Sequence, residues 1–270
     1  MQGIRSAETV RLYGLLNRRF SEFLGREAKL EDLTNLTIAR FMSARLKNRS
    51  PHTVERERNQ LVAMWRLALT HRLLSEVPDL RPLPVPKETP KAWTEGELKR
   101  LVFFASCMKG KVGPIRAGVF WPALIMLCFE TAERIGAIME CGPEDLEGCN
   151  LTVRAEYRKG GKQSRVYTLS EKTAGLVHAI KGREKLIDWR DHHTYLWDRF
   201  RTITKRAGLY GPRLGFHTLR RSAASHYAQA GFNPSQLLGH VDPKVTERYL
   251  DPRITEKNVP KPYEVLPKIG

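Results

Sequence analysis

Five prolines within residues 77–90, at positions 78, 82, 84, 86 and 90, constrain this chain more than any other feature. Proline has no backbone N–H to donate and holds φ near about −65°, so such a stretch suits neither a helix interior nor a central strand. It reads as a stiff, extended linker between two modules. The division predicted is a domain at residues 1–80, a linker at 81–92, a second domain at 93–254 and a tail at 255–270. Pro260, Pro262 and Pro267 make a stable helix in that tail unexpected.

The first module is predicted to be all-helical. Ser50-Pro51 supplies an N-cap and a proline at the first helical position. Val54, Leu61, Met64, Trp65, Leu67 and Leu69 then recur at helical spacing to about Leu74. Two earlier helices are expected at about residues 6–24 and 34–47. Beyond the linker, Thr94-Glu95-Gly96-Glu97 fits a capping box. The apolar run from Val119 to Met139 predicts one long helix carrying Arg134 in its last turns and stopped by Gly142-Pro143. The period then changes: Leu151, Val153 and Ala155 alternate with polar neighbours, Val166, Thr168 and Leu169 do so less cleanly, and Gly160-Gly161 between them signals a β-hairpin. Helical character returns from Glu171 to about Leu250. The fold class expected is mainly α with a small antiparallel β-sheet: an α+β second domain behind an all-helical bundle.

Composition narrows the partner. Hydrophobic residues at 41% and charged residues at 28% describe a globular chain rather than a disordered one, but the net charge of +17 is exceptional. Residues 1–86 hold 15 Lys/Arg against 9 Asp/Glu, a net +6, which leaves +11 for the remainder. Both modules therefore suit a polyanion, nucleic acid foremost, although some basic proteins are merely basic or bind ribosomal RNA. Cys107, Cys128, Cys141 and Cys149 show no metal-like spacing and read as thiols of a reducing cytosol. The longest apolar run, 119–129, is too short for a bilayer and contains Pro122, and no apolar stretch at the N-terminus suggests a signal peptide. A cytoplasmic protein without a membrane partner is expected.

The residues with chemistry to offer lie mostly in the last fifth: His217-Thr218-Leu219-Arg220-Arg221, Leu238-Gly239-His240 and Tyr249, with Arg134 and Lys159 upstream. Singly, each has an ordinary reading. His217 is a helix cap or core residue, Gly239 a helix end with His240 beside it, and Tyr249 a core aromatic alongside Val245 and Ile254. Arg134 is a surface residue ending an apolar helix, and Lys159 a solvated charge in a glycine-rich turn. As a set they suit phosphodiester cleavage, which needs an aligned nucleophile, cations on the equatorial oxygens and a proton for the departing oxygen. His217 and Arg220, at i and i+3, share a helix face; Arg221 points elsewhere, toward solvent or a phosphate.

In order and context the set resembles the tyrosine recombinase (phage integrase) family, in its two-domain form without a separate arm-binding domain. Thr131-Ala132-Glu133-Arg134-Ile135-Gly136-Ala137 is similar to the family's T-G-x-R-I-x-E segment except at Ala132 and Ala137. Lys159 follows Arg134 by 25 residues in a hairpin position, with Lys162 a competitor in the same turn. His217 to Arg221 match H-x-L-R-R, Leu238 to His240 match L-G-H, and Tyr249 falls nine residues later. The similarity covers about residues 94–252; Ser50-Pro51-His52-Thr53-Val54 and the basic helices of residues 1–80 resemble the family's core-binding module more loosely.

The resemblance implies a site-specific recombinase or integrase in which Tyr249 attacks DNA to form a 3′-phosphotyrosine link. Arg134 and Arg220 would clamp the nonbridging oxygens, His217 and His240 hydrogen-bond the phosphate and assist proton transfer, and Lys159 protonate the 5′-oxygen. It implies no cofactor, metal or ATP. The partners implied are double-stranded DNA at specific recombination sites and a homotetramer on two such sites, with accessory DNA-bending proteins compatible, in a cytoplasmic, nucleoid-associated setting. A type IB topoisomerase and a catalytically inactive DNA-binding relative remain alternatives. Ala137 in place of the usual acid is expected to alter how Arg134 is supported.

Overall fold

The computed structural model describes residues 7–86, 88–158, 160, 163–240 and 242–256. Lys159, Lys162 and the tail beyond residue 256 lie outside the described residues, so the expectations placed on them have no structural counterpart here. The chain divides into two compact units, Met1–Glu88 and Thr89–Gly270.

The first unit is helical: α1 (Ala7–Leu24), α2 (Asn35–Leu46) and α3 (Pro51–Thr70). Ser50 caps α3 through its side chain, with Pro51 at the first helical position. Leu16, Phe20, Leu33, Ile38, Phe41, Val54, Leu61 and Trp65 form its core. A buried carboxylate ties all three helices: Glu57 accepts two bonds from Arg45, each 2.8 Å, and one of 3.1 Å from Arg19. The proline-rich seam is held at its near end. The Asp79 amide donates to Asn35, the Leu83 amide to Glu55, and the Arg58 guanidinium to the Leu80 carbonyl. These groups give an extended segment, which has no ladder of its own, partners for its backbone.

The second unit is α+β. It runs α4 (Glu95–Ser106), β1 (Lys111–Val112), β2 (Ile115–Arg116), α5 (Ala117–Thr131), α6 (Ile135–Glu140), β3 (Leu146–Glu147), β4 (Asn150–Val153), β5 (Arg165–Thr168), α7 (Glu171–Ile180), α8 (His193–Arg206), α9 (Phe216–Gln229), α10 (Pro234–Leu238), α11 (Pro243–Glu247) and α12 (Pro252–Thr255). The capping box at α4 forms as its sequence demands, the Thr94 amide donating to Glu97 at 2.8 Å. β3, β4 and β5 make an antiparallel sheet, with Leu151 opposite Tyr167 and Val153 opposite Arg165. β1 and β2 form a second, two-stranded sheet that the sequence pattern did not reveal. The core gathers around α5, whose Phe120, Trp121, Leu124, Leu127 and Cys128 are buried with Leu101, Val177, Phe200 and Leu219. Phe200 and Phe216 stack with centroids 4.0 Å apart, joining α8 to the start of α9.

One expectation fails in a way that matters. The apolar run does not make a single helix through Met139: α5 stops at Thr131, Ala132 turns left-handed at φ 50°, and α6 begins at Ile135. Arg134 is the N-cap residue of α6, outside the helical turns it was expected to occupy. At the break Arg220 donates to the Ala132 carbonyl, and the Glu133 and Arg134 amides donate to the Thr131 hydroxyl and the Glu133 carboxylate, so side chains take the place of helical bonds. Among the described residues no helix is long and apolar enough to cross a membrane.

Candidate active site

α9 starts at Phe216 on the extended Gly215, whose amide donates to Thr218 at 3.0 Å. His217 and Arg220 therefore fall one turn apart, with His217 reaching solvent and Arg220 only 1% exposed. The next turns are Ser222, Ala223, Ala224 and Ser225, all buried and small, so that α10 packs closely and Leu238 joins Ala132, Ala223 and Ala224 in a local core. Arg221 is not free: it donates to the Arg213 carbonyl at 2.7 Å and to Thr218 at 3.1 Å.

Arg220 stitches the site together. One terminal nitrogen donates to the Ala132 carbonyl; the other donates to the Leu238 carbonyl at 2.9 Å and lies 3.4 Å from His240 Nε2. Gly239 ends α10 in the left-handed conformation, φ 67°, and turns the chain so that His240 points back at Arg220. His240 Nδ1 is 3.0 Å from Thr246 Oγ1, which is in turn 2.9 Å from Ser235 Oγ. With Nε2 accepting from Arg220, the neutral ring carries its proton on Nδ1 and donates it to Thr246.

Tyr249 sits half-buried at the centre. Its ring centroid is 5.0 Å from that of His217, 5.1 Å from that of His240 and 5.5 Å from the Arg220 guanidinium carbon. Its segment is fastened from behind: Ser225 Oγ donates to the Tyr249 carbonyl at 3.3 Å and accepts from the Asp251 amide at 2.9 Å. Asp251, fully buried, accepts from the Ala92 amide at 2.7 Å and pairs with Arg253 at 2.6 Å. Of the ordinary alternatives, Ile254 is buried and Val245 is 40% exposed, so these two do not form one inward face with the tyrosine.

The electrostatics are those of clustered cations, which favour an anion. Although part of His217 reaches solvent, crowding of its ring by the surrounding site, then Arg221, Arg220, Arg134 and His240, push the imidazole down to about 4. Burial, Arg220 and Arg134 lower His240 as well. Burial and the Arg134 charge lower Arg220, against the opposing pull of Glu133. Arg134 is half-buried and near enough to act on both imidazoles, and its guanidinium makes no ion pair among the described residues.

Supporting residues escaped the sequence reading. Glu133 is buried; it accepts from Arg158 Nε at 2.6 Å and from the Tyr167 hydroxyl at 2.7 Å, and lies 3.8 Å from Arg220. Burial would raise its carboxyl, yet Tyr167, Arg158, Arg220 and the Arg134 amide hold it below the usual range. Arg165 of β5 donates to the carbonyls of Leu237 and Gln236, fixing the end of α10. The one local hint was an acid, Glu133, next to Arg134 near the end of an apolar run that also carries Glu130.

The fold and site define a class. The phage integrase family model matches residues 94–256, and the chain belongs to that family, the tyrosine recombinases. A Haemophilus influenzae protein carrying the description integrase/recombinase is 25% identical over 250 residues, 89% of this chain and 68% of that one. Among solved structures, a lambda integrase tetramer bound to a Holliday junction aligns with a TM-score of 0.74 at 19% identity, covering 93% of this chain and 74% of that one. XerH recombinase in a post-cleavage complex with palindromic difH substrate aligns with a TM-score of 0.71 at 18% identity, covering 93% and 78%.

Proposed function

We propose that this chain is a site-specific DNA recombinase that cuts and rejoins strands through a 3′-phosphotyrosine link. The observation that carries the reading is the convergence of His217, Arg220 and His240 on the Tyr249 ring, all within 5.5 Å by centroid or guanidinium carbon. In the forward step the Tyr249 phenol oxygen attacks phosphorus, the bond from phosphorus to the 5′-oxygen breaks, and Lys159, or Lys162 in the same turn, supplies the proton that leaves with that oxygen. Arg134 and Arg220 hold the nonbridging oxygens. A planar guanidinium offers parallel donors to a phosphate, and Arg220 is already oriented by two carbonyls. His240 donates to the phosphate when its Nε2 is protonated, and His217 accepts the phenol proton in its neutral form. Rejoining reverses the step with the incoming 5′-hydroxyl, since the phosphotyrosine keeps the bond energy.

The assembly proposed is a homotetramer on two DNA sites. The lambda integrase tetramer on a Holliday junction and XerH on difH support it as structures of similar fold. Residues 1–80 serve as the core-type DNA-binding module, 93–254 as the catalytic domain and 81–92 as their connection, in a cytoplasmic, nucleoid-associated protein.

The test is covalent capture. Fragmented host and element DNA is incubated with the protein, the reaction is stopped with SDS, and attached DNA is sequenced, with Tyr249→Phe in parallel. Adducts at one shared cut site that vanish in the variant are expected. Scattered adducts would point to a topoisomerase, and none, with gel-shift binding intact, to a non-catalytic DNA-binding protein.

A further inference from the structure

We propose that Asp251 is the positioning residue of the nucleophile, holding the Tyr249 segment to the strip of chain at Ala92-Trp93 and, through that strip, to the helix that carries His217 and Arg220. The inference rests on the recombinase reading above. Asp251 stands two residues beyond Tyr249, and its side chain is 0% exposed. An ionised carboxylate out of water is retained only where well-placed partners compensate, and Asp251 has partners on both oxygens. Oδ2 accepts the Ala92 amide at 2.7 Å and Arg253 Nη2 at 2.6 Å. Oδ1 accepts the Arg253 amide at 3.0 Å and Arg253 Nε at 3.1 Å. The Arg253 guanidinium closes the loop by donating to the Ala92 carbonyl at 3.1 Å.

The strip itself is tied to α9. Ala92 and Trp93 are each 2% exposed, although they belong to no helix or strand. The Trp93 amide donates to Ser222 Oγ at 2.7 Å, and the Trp93 carbonyl accepts from His226 Nε2 at 3.0 Å. Ser222 and His226 stand at i and i+4 on α9, in the turns that follow Arg220. Ser225, between them, makes the direct link: its hydroxyl accepts the Asp251 amide at 2.9 Å and donates to the Tyr249 carbonyl at 3.3 Å. The nucleophile's segment therefore reaches α9 by two routes, one straight through Ser225 and one through Asp251 and the strip. Asp251 bonds to none of His217, Arg220, His240 or the Tyr249 side chain, so its effect on the chemistry runs through where it puts Tyr249.

The experiment uses the full chain carrying a fluorotyrosine at position 249 alone, whose fluorine resonance reports the surroundings of that one ring. Asp251→Ala and Ser225→Ala are compared with the parent for this resonance. Unlabelled chains give adduct rate on the duplex recovered by covalent capture, gel-shift binding and melting. In the parent the resonance should stand apart from that of fluorotyrosine in a short peptide, since two imidazoles and a guanidinium surround the ring. We expect Asp251→Ala to move it toward the peptide position at temperatures well below melting. The same variant should bind DNA within about twofold of the parent and lose about 100-fold in adduct rate, the loss that a displacement of about 1 Å brings. Ser225→Ala should act in the same sense with a loss of about tenfold. If Asp251→Ala fails to fold, Ser225→Ala still decides the matter. A resonance that stays in place in the variants, or rates within about threefold of the parent, overturn the inference. So do a parent resonance already at the peptide position, and rate losses matched by lost binding. Lower melting with an unmoved resonance would make Asp251 structural only. The resonance is read without DNA, so parent adducts beside an unmoved resonance sink this inference alone; absence of parent adducts sinks the recombinase reading and this with it.

Discussion

His217 sets the sign of a pH effect. Burial and its guanidinium neighbours press its pKa down to about 4, so the folded protein keeps the ring neutral where a free histidine, near about 6.5, begins to charge. Below that point the unfolded chain binds the proton and the folded one does not, so stability falls as pH drops from about 6.5 toward 4 and is unaffected above. His240 acts in the same direction. The lowered carboxylates Asp32, Glu133 and Asp251 stabilise at higher pH and lose that contribution only below about 4.5, which leaves the window down to there to the imidazoles. Melting temperature followed across that window should fall for the wild type and less for His217→Gln; equal slopes would show that His217 is not held neutral. A bound phosphate, whose charge offsets the arginines but not the burial, should raise the His217 pKa part of the way back from about 4, so DNA binding should take up protons between about pH 4 and 6. The candidate residues were legible because histidine, arginine and tyrosine announce themselves in a basic chain. Glu133 was not, because its partners Arg158 and Tyr167 lie 25 and 34 residues away and no local pattern links them.

Elements were legible where the local code acts alone. The Ser50 and Thr94 caps form as read, since each needs only groups three residues apart. The break at Ala132 was hidden: alanine is the best helix former, and the apolar pattern runs on through it. The bonds that mark the place are the Arg220 bond to its carbonyl and the side-chain bonds of the Glu133 and Arg134 amides. β1 and β2, two residues each, are too short to show an alternation. Two left-handed residues now make a paired prediction. Gly239→Ala should destabilise by about 1–2 kcal/mol, because a β-carbon at φ 67° is strained and would stand 2.8 and 2.9 Å from Arg158 and Arg165. Ala132→Gly should stay within about 0.5 kcal/mol of wild type, because relief at φ 50° offsets a lost buried methyl and a freer unfolded chain. Urea midpoints measure both. A neutral Gly239→Ala would mean that the two guanidiniums move aside and that the turn relaxes out of the left-handed region.

At the scale of the whole molecule, the proline seam was legible because proline acts on its own backbone, whereas the bonds fixing its near end through Asn35, Glu55 and Arg58 come from distant helices. Net charge was legible too, but not which cations are free to use it. Arg45 is committed to Glu57, whereas Arg56 and Arg66 are exposed and make no ion pair among the described residues. That difference separates stability from binding. Each phosphate neutralised releases counterions and adds about −0.9 to the slope of log affinity against log salt. If the first unit grips DNA through its exposed cations, as proposed, replacing Arg56 and Arg66 by alanine should flatten that slope by up to about 2 and leave melting unchanged. Arg45→Ala should do the opposite, keeping the slope and costing about 3 kcal/mol, because it strips a buried carboxylate of its bidentate partner. A salt titration of gel-shift affinity beside urea unfolding decides it. If Arg45→Ala lowers the slope as much as the exposed pair does, its guanidinium is shared between Glu57 and the DNA backbone, and the helical unit's ion pair belongs to the DNA-binding face rather than to the core.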